Sequence, residues 1–438
     1  MSVTKTIAFF PEPGAWGPTN NCSAMASVLR ERGHRIVFVS DESFAGVLEA
    51  RGFEERLFRM APAADEAAGG PAAPAEDPWA EFIRVTAPEF RKPTIAQIET
   101  VTKPIWQALV EGEQYSHDRV MAIWDEVRPD VVVTDNVTGY PAVELAGVPW
   151  VRVVSCNPLE MRDPELPPVL SGLPVGDRRE WQAFRAEYHR VHVDLLAEHN
   201  EFRASVGVEP CPLDEFNTTS PWLDLYEFPG AADYRRSRRL GATWHRLESS
   251  VRSTEAPFDV ASVLPGEGKV VYLSLGSLGC MDLALMQRLI DTLATTDHRV
   301  IVSMGPLKDQ MRLGPRMYGD EFLPQPSILP QCDLLITHGG NNTVCEGFTW
   351  GLPMIALPLF WDQHDNAQRI AETGFGVRLP TYDWGEEELG GAVERLLADD
   401  GLRTRMVAIA AEVRARPGHV RGADLIERLA LTGAPVTG

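Results

Sequence analysis

No run in this 438-residue chain stays apolar for the roughly 20 residues that a membrane helix needs. The first apolar stretch, Thr6-Ile7-Ala8-Phe9-Phe10, meets Pro11 and Pro13 and is too short for a secretory signal. Cysteine is scarce: Cys22, Cys156, Cys211, Cys280, Cys332 and Cys345 are scattered with no Cys-x-x-Cys pair, the usage of a reduced, cytosolic protein. Positive charge is in deficit, 41 basic against 62 acidic side chains for a net charge of −21, which argues against nucleic acid or an acidic membrane surface as partner. A small anion stays compatible, because a local cradle of N–H groups outweighs a distant, screened field. Two common phosphate-binding strings are missing as well. Neither Gly-x-x-x-x-Gly-Lys-Ser/Thr nor Gly-x-Gly-x-x-Gly occurs. The expectation is a soluble, cytoplasmic protein that binds no nucleic acid and no membrane.

Strand-length apolar runs alternate with longer helical patterns, which points to the α/β class. The length suits two domains of about 200 residues, each with its own core. Thr6–Phe10 reads as a first strand, Pro11–Thr19 as a Pro/Gly-rich loop, and about Asn20 to Arg32 as a helix ended by Gly33. Arg35–Ser40, Val131–Thr134 (ending at Asp135) and Pro149–Val154 read as further strands. Ala61–Pro78, rich in Ala, Gly and Pro, reads as a mobile loop. Arg178–Val206 has the length of one long helix or two, and its His189, His192 and His199 share a face expected to turn to water or to a cleft. From about Asn217 to Gly268 periodicity is lost, so 1–220 is expected as a first domain and 221–268 as an interdomain connection. Lys269–Leu275, Arg299–Met304, Asp333–Thr337 and Met354–Leu357 then supply the strands of a second domain, 269–417.

The most informative stretch is Asp333-Leu-Leu-Ile-Thr337 followed by His338-Gly339-Gly340-Asn341-Asn342-Thr343. A buried strand runs into a small polar turn, and Val344–Trp350 continues as a helix. Helix N-terminal N–H groups then point out of the carboxyl edge of a sheet, where free donors and the helix dipole favour negative charge. Two glycines let a diphosphate approach the backbone. The stretch predicts a nucleotide-diphosphate cradle.

Together with Phe322-Leu323-Pro324-Gln325, Glu346, Gly351-Leu352-Pro353 and Trp361-Asp362-Gln363, this string resembles the donor-binding motif of the UDP-glycosyltransferase superfamily. The resemblance implies a GT-B fold, two Rossmann-like domains facing across a cleft, with a C-terminal helix within 418–438 packing back on the first. It implies a nucleotide-diphosphate sugar donor held by the second domain. Phe322 stands for the family's base-stacking tryptophan, beside Gln325. Glu346 matches the acid that accepts from the ribose hydroxyls, and His338, Gly340, Asn342 and Thr343 match the diphosphate contacts. Gly276-Ser277 match a second loop reaching the phosphates, and Asp362 and Gln363 match the pair that holds the sugar. Asn341 stands where plant members usually carry tryptophan. The departing diphosphate is stabilised by N–H groups and the helix dipole, so no metal or other cofactor is expected.

In the superfamily the loop after the first strand carries a Gly-His pair whose histidine deprotonates the acceptor. Counted back from Arg32-Gly33-His34, the pair falls at Gly17-Pro18. Proline replaces the expected base. Asp135 matches the aspartate that normally orients that histidine, and Asp135 and Glu12 are the candidate catalytic residues, with the cluster His189, His192 and His199 also considered. The expected function is inverting transfer of a sugar to a small-molecule acceptor, to a soft or acidic nucleophile (sulfur, nitrogen, carboxylate or phenol) if no base replaces histidine. The alternatives are a non-catalytic nucleotide-sugar-binding protein that activates a partner transferase, and a GT-B sugar-nucleotide epimerase. Assembly as a homodimer stays open.

Overall fold

In Thr6–Pro11, Ile7 and Phe9 point to one side and Ala8 and Phe10 to the other, and all four are fully buried. A strand apolar on both faces belongs inside a parallel sheet covered by helices on both sides. That is how the chain folds in a computed structural model describing residues 3–62, 85–252 and 256–438. Strands β1 (Thr6–Pro11), β2 (Arg35–Asp41), β3 (Glu54–Phe58), β4 (Val131–Asp135), β5 (Trp150–Val154), β6 (Leu223–Glu227) and β7 (Trp244–Leu247) form one sheet, ordered β3-β2-β1-β4-β5-β6-β7. Strands β8 (Val270–Ser274), β9 (Arg299–Ser303), β10 (Met317–Asp320), β11 (Leu334–Thr337), β12 (Met354–Ala356) and β13 (Gly376–Arg378) form the other, ordered β10-β9-β8-β11-β12-β13. The pairings in both sheets are parallel. Strand order reverses between β1 and β4 and between β8 and β11. At such a switch point the outgoing loops diverge and leave a crevice at the carboxyl ends of the strands.

The first helix, Trp16–Glu31, buries Cys22, Met25, Ala26 and Leu29, the i, i+3, i+4, i+7 stripe of an amphipathic helix. The final helix, Gly418–Thr432, packs on it and on β6 and β7 through Ala423, Ile426 and Leu429. Approach is close: a Cβ on Gly422 would lie 2.6 Å from Met25 Sδ. His34 is structural here. Its Nδ1 accepts from Lys5 N at 3.2 Å and its Nε2 meets Glu427 at 3.0 Å, tying the first sheet to the final helix. The opposite face of the first sheet is covered by the helix Lys103–Val127 through Val120, Ile123 and Trp124.

Three sequence expectations change. The first helix starts at Trp16, not near Asn20, so Pro18 lies inside its first turn. Proline is tolerated there because first-turn N–H groups have no intrahelical acceptor. Within 221–268, expected as a connection, β6 and β7 are paired into the first sheet; they are short and separated by Pro and Gly, which hid their periodicity. The histidine face is not solvated either. Trp181–Ser205 is one helix in which His189 is exposed beside Asp214, whereas His192 and His199 are fully buried around Phe216. Most of Ala61–Pro78 lies outside the described residues.

The final helix completes the core under β6 and β7, so Ile426→Ala is expected to cost about 2–5 kcal/mol by loss of buried surface and the cavity left behind. A clear fall in the melting temperature would register this; an unchanged melt would mean that the helix is not part of that core.

Candidate functional site

In the second half, β8 and β11 are neighbours, and their outgoing loops meet around one imidazole. His338 follows β11 and lies between Gly276 and Gly340: a Cβ at Gly276 would sit 2.8 Å from its Cε1, and one at Gly340 2.5 Å from its Nε2. Gly276 also has φ +72°, the left-handed region that favours glycine. Burial pushes the His338 pKa down to about 4, so the ring is neutral at neutral pH. The helix Asn341–Trp350 begins immediately afterwards, so the N–H groups of its first turn open onto this edge. Helix, glycines and neutral ring make an anion cradle without a formal positive charge in the turn itself.

One helical turn further on, Glu346 is buried and receives a hydrogen bond from Gln325 Nε2, which also reaches Thr343 Oγ1 at 3.3 Å. Arg252 Nη1 lies 3.9 Å from the other Glu346 oxygen. Phe322, three residues before Gln325, is 76% exposed, and Ser277 is exposed at the end of the β8 loop. Gln325, Thr343 and Glu346 therefore converge, while Phe322 presents a free aromatic ring.

The remaining motif residues turn toward the first half or their own loop. Asn342 Nδ2 donates across the cleft to Gly17 O at 2.8 Å, next to Pro18. Asp362 Oδ2 accepts from Asn157 N at 2.9 Å and from Asn366 Nδ2 at 3.2 Å. Gln363 Oε1 accepts from Leu359 N and Phe360 N, pinning the loop that carries Trp361 at φ +57°. Asp365 accepts from Leu170 N at 2.6 Å and Gly172 N at 2.7 Å. Burial raises the pKa of both Asp362 and Asp365 to about 7.

Facing them, Glu12 and Asp135 sit at the carboxyl ends of β1 and β4. Both Asp135 oxygens are engaged, one by Asn21 Nδ2 at 3.1 Å and one by Ser155 Oγ at 3.0 Å, and burial lifts its pKa to about 8. Glu12 spends one oxygen on Val137 N at 3.2 Å, and burial lifts its pKa to about 7. A cavity of about 40 Å³ lies between the halves, reached by Asp362 and Trp361 from one side and by Asn157, Glu160, Trp106 and Phe216 from the other. Trp106 stacks on Phe216 at 4.5 Å and tilts against Trp361 at 5.1 Å. An organic ligand needs several hundred Å³, so admission there requires the walls to part.

The fold has known counterparts. Residues 287–429 match the family described as erythromycin biosynthesis protein CIII-like, C-terminal domain. The chain is 28% identical to zeaxanthin glucosyltransferase of Pantoea ananas over 72% of its own length and 74% of the relative's. It is 25% identical to demethyllactenocin mycarosyltransferase of Streptomyces fradiae over 97% and 86% of the two chains. Among solved structures, the glycotransferase of kitacinnamycin superposes with a TM-score of 0.68 at 20% identity, covering 98% of this chain and 99% of that one. Spinosyn rhamnosyltransferase SpnG gives 0.63 at 16%, over 97% and 99%. The chain is similar to natural-product glycosyltransferases, consistent with the UDP-glycosyltransferase superfamily. It is a glycosyltransferase with the GT-B fold.

Sequence reading of this glycosyltransferase missed Asn157, Asp365 and Asn366, the polar groups that join the halves, and Trp106 and Phe216, which line the cavity between them. The available signal was slight: Ser155-Cys156-Asn157 is a polar run directly after a strand end, the place where α/β folds put ligands.

The buried aspartates at the junction fix a pH response. Their pKa values are raised above the unfolded value, so the stability they confer is fully present below about pH 4 and is lost as pH rises through about 7. Asp365→Asn, which keeps the shape but cannot ionise, is expected to make the fall in melting temperature from pH 4 to 8 shallower than in the parent. An equal slope in both would show that Asp365 does not titrate there.

Proposed function

We propose that this glycosyltransferase moves a sugar from a nucleotide-diphosphate sugar to a small-molecule acceptor, with inversion at the sugar carbon. The observation that carries the reading is the cradle: His338 wedged between two glycines at a helix N-terminus, with the buried Glu346–Gln325 pair one turn away. In this reading 269–417 takes the donor, and the first half through β7, with the final helix, takes the acceptor. The diphosphate lies on the first-turn N–H groups beside His338, Gly340, Asn342, Thr343 and Ser277, the ribose hydroxyls donate to Glu346, and the base stacks on the exposed ring of Phe322. Asp362 and Gln363 meet the sugar once their present contacts with Asn157 and the Leu359–Phe360 loop loosen. The relatives' names, transferases of glucose to zeaxanthin and of mycarose to demethyllactenocin, support a small-molecule acceptor, and the SpnG structure holds thymidine diphosphate. They speak against a non-catalytic binding protein.

The acceptor atom attacks the anomeric carbon as its bond to the diphosphate oxygen breaks, and the diphosphate leaves with the bonding electrons into the N–H cradle. The acceptor proton goes to Glu12 or Asp135 or, for an already ionised nucleophile, needs no base. Glu12 suits the task better, with a pKa near 7 and an oxygen not spent on the backbone, while Asp135 is held on both oxygens. Pro18 offers no proton acceptor where the superfamily has histidine. A base is worth about 3–5 kcal/mol of barrier, so acceptors reacting through sulfur, nitrogen, carboxylate or an acidic phenol are favoured.

Glu346→Ala is expected to weaken nucleoside diphosphate binding by about 1–3 kcal/mol, the cost of charge-assisted hydrogen bonds to the ribose. Calorimetry on the folded variant measures it, and unchanged affinity would remove Glu346 from the site. For the acceptor, matched compounds differing only in the attacking atom should react faster through thiol or phenol than through aliphatic alcohol. Efficient transfer to the alcohol, abolished by Glu12→Gln or Asp135→Asn, would refute that preference and identify a carboxylate as the replacement base.

A further inference from the structure

The chain passes between the halves twice, after β7 and again before the final helix. The crossings touch: Gly418 N donates to Ser249 O at 2.9 Å, and a Cβ on Gly418 would come within 2.6 Å of that oxygen. Beside this contact lies a second cavity of about 410 Å³, a volume in the range of small-ligand sites. Ser249 and Arg252 of the first crossing and His419 of the second reach it, and Ser327, Trp350 and Arg414 of the donor half face them. Although the chain carries a net charge of −21, no carboxylate is among the described residues lining this space.

The wall is rich in donors. Arg414 sits over the Trp350 ring at 5.7 Å, and its one hydrogen bond among the described residues goes to Thr349 O at 2.6 Å, out of the five N–H donors a guanidinium has. Trp350 Nε1, which can only donate, is buried without a partner, and so is the hydroxyl of Ser249, a residue 4% exposed. His419 Nδ1 is buried and unpartnered as well. Arg252 enters from the opposite wall, 3.9 Å from Glu346. Guanidinium groups are well matched to phosphate, and two of them border this one cavity.

We infer that this hinge cavity is a second anion site, distinct from the donor cradle, that takes a phosphate group between Arg252 and Arg414. Both crossings wall the cavity, so an anion there ties the halves in one orientation and couples its own binding to opening of the cleft. The test titrates inorganic phosphate and phenyl phosphate calorimetrically into the parent, Arg414→Glu and Ser327→Glu, each with and without saturating uridine or thymidine diphosphate. The parent should bind phosphate whether or not the nucleotide is present, and both variants should bind it roughly tenfold more weakly or worse. The tighter of the two probes tells a phosphate ester from free phosphate. Complete displacement by nucleotide, equal binding in parent and variants, or no binding to the parent would overturn the inference. If Arg414→Glu does not fold, Ser327→Glu decides alone.

Discussion

The arrangement rests on a polar clamp buried between two Rossmann-like halves. Asp362 and Asp365, at the start of one helix of the second half, receive backbone N–H groups of Asn157, Leu170 and Gly172 from the first. Asn366 completes it, accepting from Asn157 Nδ2 at 2.8 Å and donating to Gly339 O at 2.9 Å. One side-chain set thereby touches both the first half and the turn that follows β11. Unlike apolar packing, such bonds are directional, so they hold the halves in register and are lost together when the halves separate.

The clamp is expensive to bury. Carboxyls removed from water have raised pKa values, and several more sit around the same cleft, at Glu12, Asp135 and Glu227. Their mutual repulsion offsets part of what the hydrogen bonds contribute. The two cores are apolar and need no such compromise: Ile7, Phe9, Val271 and Leu273 are fully buried in continuous sheets. Apolar burial holds each sheet, and directional polar contacts hold the seam between them.

The proposed site follows the same division. The proposed donor cradle is built on one strand, one turn and one helix, with His338 held between two glycines. The proposed acceptor side is assembled from loops after β1, β4 and β5 together with Trp106 of a helix and Phe216 and Trp361 of loops, and its cavity is nearly closed. At Gly17-Pro18 the helix begins earlier than its composition suggests, and Gly17 O is taken by Asn342.

The sequence by itself determined the α/β class, the strands β1, β2, β8 and β11, and the strand–turn–helix at His338–Thr343, because each is local. A strand reports itself by a few consecutive apolar residues, and His338–Glu346 with Phe322-Leu-Pro-Gln325 is almost contiguous. The short strands β6 and β7 and the burial of His192 and His199 were not legible, since propensity is silent on what packs against a segment. Tertiary structure alone decided that Asp362 meets Asn157, 205 residues away, that Asn342 meets Gly17, 325 residues away, and that two arginines share a cavity at the hinge. Periodicity and motif spacing reach only along the chain; the pairing of groups across a cleft, and the burial that shifts their pKa values, arise when two separately folded surfaces are pressed together.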